Sequence, residues 1–256
     1  MSLPKSLICK PISQASAEAD RRNTRAHRQS RAACVFAALL IGVVAHGYAQ
    51  NADHAADHAV AAGGSVMTII LPEDQETQLA LSAGPEHVRE AAAVYVFGRD
   101  GYRLTRAGTN GFTCLVNRDG NQSRDHDLKP TCWDPEGSRT IVPVMLRVGE
   151  LLAKASTAEQ IRRDIDQGFS TGRFTSPRKA GIAYMLVGDV SFDPVTKQVD
   201  KPVFPPHYMM YAPGVSNADI GTDASPGKGD PQLPMVYSGY SGGSRTAYII
   251  IMAKPR

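Results

Sequence analysis

The chain has 256 residues, with 28 Lys and Arg against 25 Asp and Glu, a formal charge of +3 and a sequence pI near 8.7. The basic excess sits in the first 31 residues, where Lys5, Lys10, Arg21, Arg22, Arg25, Arg28 and Arg31 face only Glu18 and Asp20; the rest of the chain holds 21 basic and 23 acidic side chains. A domain with that balance has no positive field to draw a polyanion, so nucleic acid is excluded as an expected partner.

Behind the basic leader, residues 32–45 form an uncharged apolar run of signal-peptide length, short of the ~20 residues a membrane helix needs. Gly47 and Ala49 fit the small-residue positions before a cleavage site and put the mature start near Gln50; Val43 and Ala45 offer an earlier one, and an uncut anchor is the alternative. The long leader also admits a start codon downstream of Met1. Arg21 and Arg22 lack the hydrophobic flank of a twin-arginine signal, and Cys34 opens the apolar run where a lipoprotein cysteine would follow the cut. The expected organisation is a signal peptide over residues 1–49, a flexible Ala/His linker over 50–65 and one domain over 66–256, in the periplasm or secreted, with no stable membrane span after cleavage. In the linker, His54 and His58 share a helix face if it coils, yet no third ligand accompanies them, so a solvated linker is expected.

Within the domain, residues 65–71 read as a short β-prone segment. Residues 72–83 read as a helix, with Pro72 near its first turn, Glu73, Asp74 and Glu76 at the positive end of the dipole, and Gly84 and Pro85 as its stop. Residues 86–91 allow another turn or two. Residues 93–97 and 102–106 make a hairpin about the glycine-bearing turn at 98–101. A third strand over 112–117 puts Phe112, Cys114 and Val116 on one face. A polar loop then runs from Asn117 to Lys129 and returns to Cys132. With Cys9 and Cys34 in the leader, export leaves Cys114 and Cys132 as an even pair in a compartment where disulfides persist; two buried free thiols are the alternative, and a zinc site lacks ligands at the right spacing.

From residue 138 to 168 the hydrophobic period lengthens to that of a helix. Val144, Met145, Val148, Leu151 and Leu152 fall on one stripe starting at Pro143, Ser156 and Glu159 read as a capping box, and Ile161 and Ile165 continue a second helix that Gly168 can end. Residues 181–187 are apolar on both faces, as in a central strand, and residues 206–211 make another. After a Gly/Pro-rich loop over 222–234, residues 235–237 and 246–252 are expected to pair across the turn at 239–244. The order predicts an α+β fold: a single domain with a largely antiparallel sheet and about three helices inserted between strands.

Several blocks, Gly108-Thr-Asn-Gly-Phe-Thr-Cys-Leu-Val, Glu136-Gly-Ser, residues 168–174, Gly181-Ile-Ala-Tyr-Met-Leu, Pro206-His-Tyr-Met-Met-Tyr-Ala-Pro and Asn217-Ala-Asp-Ile-Gly, resemble a functionally unassigned family of exported bacterial proteins. That resemblance covers most of the domain and implies export and a single domain. It implies no activity and no cofactor.

The chain lacks a phosphate-binding Gly-x-x-x-x-Gly-Lys loop and His-Glu-x-x-His, and the turn Gly239-Tyr-Ser-Gly-Gly-Ser244 spells Gly-x-Ser-x-Gly without the strand-turn-helix context of a nucleophile elbow. Asp125, His126 and Asp127 are too few for an oxygen-rich metal site, and no metal or cofactor is expected. His207 with Asp219 or Glu136 is the candidate acid-base set of a small hydrolase-like enzyme. The leading expectation is a non-catalytic periplasmic or secreted binding module for a small ligand or an envelope component. Asn110, Trp133 and Asn217 are its candidate ligand contacts, and Tyr184, Tyr208, Tyr211 and Tyr237 are candidate cleft linings.

Overall fold

The computed structural model describes residues 68–118, 127–193, 195–222, 233–238 and 241–253, all within the compact unit Ala49–Arg256. In chain order the elements are α1 (Glu73–Ser82), α2 (Glu86–Arg89), β1 (Ala93–Gly98), β2 (Gly101–Arg106), β3 (Thr113–Asn117), β4 (Asp127–Trp133), α3 (Pro135–Thr140), α4 (Val142–Ala153), α5 (Ala158–Ser170), β5 (Ile182–Met185), β6 (Asp189–Phe192), β7 (Val199–Phe204), β8 (His207–Tyr211), β9 (Met235–Tyr237) and β10 (Tyr248–Met252). The main path of the sheet runs β2-β1-β3-β4-β5-β8-β10-β9, and β6 bridges β4 to β7. Only β1 and β3 pair in parallel among the described strands; the protein is a single-domain α+β fold with a mostly antiparallel sheet. The parallel pair requires the chain to pass back against the start of β1, and Gly108 does so where any Cβ would overlap the backbone of Ala93.

Strand alternation sorts the apolar side chains into two cores. On one face Leu115, Trp133, Met185, Met209, Tyr211, Tyr248 and Ile250 meet Val144, Met145, Val148, Leu151 and Leu152 of α4 and Ile161 and Ile165 of α5. On the other, Val94, Val96, Cys114, Val116 and Cys132 meet Ala80 and Ala83, at the end of α1, with Val190 and Phe192 of β6. Each large side chain so buried stabilises the fold by ~1.5–3 kcal/mol. The predicted stripe of α4 faces the core over its whole length.

Position along α1 is fixed by a buried ion pair. Glu76 and Arg118 are 0% and 2% exposed, and the guanidinium grips the carboxylate with two bonds of 2.8 and 2.9 Å. Its remaining N–H groups donate to the carbonyls of Val116 and Ile69, and Phe97 N–H donates to Glu76 Oε1 at 2.8 Å. Of the β-prone segment expected at 65–71, the described part from Thr68 to Leu71 is unpaired as a strand, and the Ile69 carbonyl serves Arg118 instead.

Other boundaries differ for physical reasons. The capping box is Thr157 with Gln160, one residue beyond Ser156 and Glu159, and both reciprocal bonds are present. α5 runs through Gly168, which packs against Phe174 where a side chain would collide, and the left-handed residue after the helix is Gly172. α3 forms where the sequence reads as turn, because Asp134 caps it through Gly137 N–H and proline occupies its first turn. β4 begins at Asp127, inside the expected polar loop, and β6 and β7 form an additional antiparallel pair. The leader, the linker with His54 and His58, Asp125, His126 and residues 223–232 lie outside the described residues. No helix among the described residues is long and apolar enough to cross a membrane.

Candidate functional site

Cys114 and Cys132 sit directly opposite each other on β3 and β4 and are joined by a disulfide. The other sequence candidates are spread over the fold. His207 opens β8, 2% exposed, with its ring against Phe204 and Nδ1 2.8 Å from the carbonyl of Pro205. Burial pushes its pKa below the ordinary value, against the opposing pull of that carbonyl. Glu136 lies on α3 and accepts from Arg178 N–H at 2.7 Å, the main cause of its lowered pKa, while Arg139 pairs with its other oxygen.

These two groups belong to opposite ends of β8. Gly137, beside Glu136, touches the hydroxyl of Tyr211, the last residue of β8, which is four strand steps or ~13 Å from His207. Asp219 lies in a short 3-10 turn, Ala218–Ile220, where its carboxylate accepts from both the N–H and the hydroxyl of Ser216, and those bonds lower its pKa. None of the three bonds to another of the set; each is engaged by its own neighbourhood.

The candidate ligand contacts also have local partners. Asn110 ties the loop before β3 together, donating to Val88 O and accepting from Phe112 N–H. Asn217 clamps β9 by accepting from Val236 N–H and donating to Val236 O, at 2.7 and 3.1 Å. Trp133 is buried and donates from Nε1 to the Tyr248 hydroxyl at 3.0 Å. Beside it, Asp134 accepts at once from Gly137 N–H, Ile182 N–H and, at 2.7 Å, Tyr211 O–H. Burial and the adjoining Asp134 carboxylate push the Tyr211 phenol far above its ordinary pKa, so it is a neutral donor locking β8 to α3.

The feature that sequence reading missed is a face. Register places Cys132, Tyr184, Tyr208 and Ile251 in one cross-strand row, so the last three point to the α1 side of the sheet with Cys132. Two residues along, Ile182, Met210, Ile249 and Val236 form a second row on that side. α1 packs on β1, β3 and β4. Beyond β4, Ile182, Tyr208, Met210, Val236, Ile249 and Ile251 belong to neither core; Ile251 is 40% exposed and the others are half-buried. Tyr184 stands at the border, stacked edge-on to Tyr208 with ring centres 5.9 Å apart and close to Phe112 at 6.3 Å.

Half of one sheet face is therefore apolar, aromatic-rich and uncovered by any described helix. Such surfaces on soluble chains mark interaction sites. No known family model, curated protein or solved structure matches this chain.

Proposed function

We propose that this chain is an exported, non-catalytic binding module whose working surface is the uncovered half of the sheet, and that the occupant is an amphipathic helix of an envelope or secreted protein. The observation that carries this is the pair of apolar rows Tyr184, Tyr208, Ile251 and Ile182, Met210, Ile249, Val236, which the chain aligns and which no described helix covers.

The dimensions favour a helix. From β5 to β9 the strip spans four strands, or ~14 Å between outer strands at ~4.8 Å spacing, close to the ~10–12 Å diameter of one helix. With rows of that width and two residues' depth it falls well below the ~800 Å² per partner that a stable standard interface between two globular copies uses. α1 already lies on the neighbouring strands, so a second helix beside it completes the layer, and its apolar side chains at i, i+3, i+4 and i+7 meet the two rows. Tyrosines on such a strip give large contact area with a hydroxyl left to bond at the rim.

The hydrolase reading needs His207 beside Asp219 or Glu136, and their separate hydrogen-bonding sets give it no support. Photo-crosslinking residues introduced at Tyr208 and Ile249 in the producing cell, with Arg162 on the exposed side of α5 as control, test the proposal. Crosslinks at 208 and 249 that map to the apolar side of a helix in one partner, and vanish in Met210→Glu, are the expected result. A Met210-dependent dimer in sedimentation would assign the face to a second copy and overturn the helical-partner reading, as would equal labelling at Arg162.

A further inference from the structure

On the opposite side, where α4 and α5 lie, the chain leaving α5 folds back over the end of that helix and borders an open cleft of about 410 Å³. This is within the ~300–1,000 Å³ of ligand pockets. Its apolar wall is Phe169 and Phe174, with ring centres 5.7 Å apart. Arg245, from the turn before β10, stacks its guanidinium 4.7 Å above Phe169 and pairs with Asp166. Arg178 is the other cation of the lining. Its backbone N–H is taken by Glu136, while its guanidinium meets no carboxylate among the described residues.

The polarity of this lining is one-sided. No Asp or Glu lines the cleft, and the hydroxyls of Thr175 and Ser176 have no partner among the described residues. The negative end of α5, which would repel an anion, is quenched: Thr171 N–H, Phe174 N–H and Gly172 N–H take the carbonyls of Gln167, Gly168 and Phe169. What remains is a donor-rich, cationic mouth over an aromatic floor. A carboxylate matches the planar fork of an arginine with two parallel bonds, and an apolar body matches the rings.

We propose that this cleft binds a small organic carboxylate carrying an apolar body, held by Arg178 at its charged end and by Phe169 and Phe174 at the other. The site lies on the far side of the sheet from the bare strip and does not depend on what docks there. The probe is phenylacetate, titrated into the full chain by ligand-observed NMR, beside phenylacetamide, acetate and inorganic phosphate. Phenylacetate should bind at least tenfold more tightly than each of the other three, and Arg178→Ala should weaken it at least tenfold while melting at the parent temperature. Phenylacetamide binding as tightly as phenylacetate would remove the anion from the proposal, and phosphate or acetate doing so would remove the apolar body. An unchanged affinity in a folded Arg178→Ala, or no saturable phenylacetate binding, overturns the site. If Arg178→Ala fails to fold, Arg178→Lys, which keeps charge but loses the fork, must lose at least threefold.

Discussion

Replacing Glu76 by Gln should cost this protein about 3 kcal/mol, a large share of the ~5–15 kcal/mol by which domains are stable. The guanidinium of Arg118 is 2% exposed, and every one of its N–H groups is spent inside the protein, on Glu76, Val116 and Ile69. Burial works to lower its pKa, but Glu76, with the Tyr102 hydroxyl, holds it above the ordinary arginine value, so it cannot escape by losing a proton. A glutamine in place of Glu76 would keep one acceptor for Phe97 N–H but turn its amide NH2 toward the arginine, leaving a desolvated cation without a counter-charge. Removing one partner of a buried pair costs ~3–5 kcal/mol, and the shape-preserving change belongs at the low end.

The assay is urea unfolding followed by fluorescence, since the single tryptophan, Trp133, is 1% exposed and reports loss of the core directly. Arg118→Met should cost as much as Glu76→Gln or more, because Glu76 then stays buried against one backbone N–H. The double variant Glu76→Gln with Arg118→Met should lose less than the sum of the two single variants, because it leaves no unpaired buried charge while Glu76→Gln still keeps an acceptor for Phe97 N–H. A Glu76→Gln protein within 1 kcal/mol of the parent, or a double variant whose loss equals the sum, would refute the reasoning.

Replacing both Cys114 and Cys132 by Ala should lower stability by ~3 kcal/mol, the loop-entropy scale for cysteines 18 residues apart, and the unreduced parent should weigh two hydrogens less than its dithiol form by mass spectrometry. Gly137→Ala should lose ~1–3 kcal/mol in the same urea assay, because the new methyl overlaps the Tyr211 hydroxyl and lies 2.8 Å from Trp133 Cδ1. Burial holds His207 below its ordinary pKa in the fold, so the unfolded chain takes up the proton first. Stability from this residue is then complete above ~6.5 and falls as pH drops below it; His207→Asn, which keeps a donor for Pro205 O, should flatten that part of a pH series of melts. Protein recovered from the envelope or medium should begin near Gln50 by N-terminal sequencing.

Local signals in this chain predict local structure well. The β1–β2 hairpin, the core stripe of α4 and the joining of the two cysteines all follow from period, turn residues and an even cysteine count. Where prediction fails, a distant partner decides. Thr68 to Leu71 has β-formers yet pairs with no strand, because Arg118, far along the chain, takes the carbonyl of Ile69. Asp134 through Ser138 reads as turn, and becomes a capped helix because Tyr211 and Ile182 complete the coordination of Asp134. His207 and Asp219 are close in sequence with turn residues between, but the strand after His207 carries the chain away before Asp219 is reached.

The bare strip escaped sequence reading for a related reason, and its chemistry separates it from the core behind it. β5, β8 and β10 are apolar on both faces, the pattern of strands covered on both sides. On the helix side the tyrosine hydroxyls have fixed duties within the chain: Tyr211 donates to Asp134, and Tyr248 accepts from Trp133. On the strip, Tyr208 shares β8 with Tyr211 and pairs with Tyr184 of β5, yet the hydroxyls of Tyr184 and Tyr208 have no partner among the described residues. A phenol buried for packing alone would leave its oxygen unsatisfied and lose ~1–3 kcal/mol, and phenylalanine would serve better there. Tyrosine is favoured where the ring must be covered while the hydroxyl keeps water or a partner's carbonyl in reach, as at the rim of a binding surface. The same strands thus build a finished core on one face and, on the other, a face that no described helix covers.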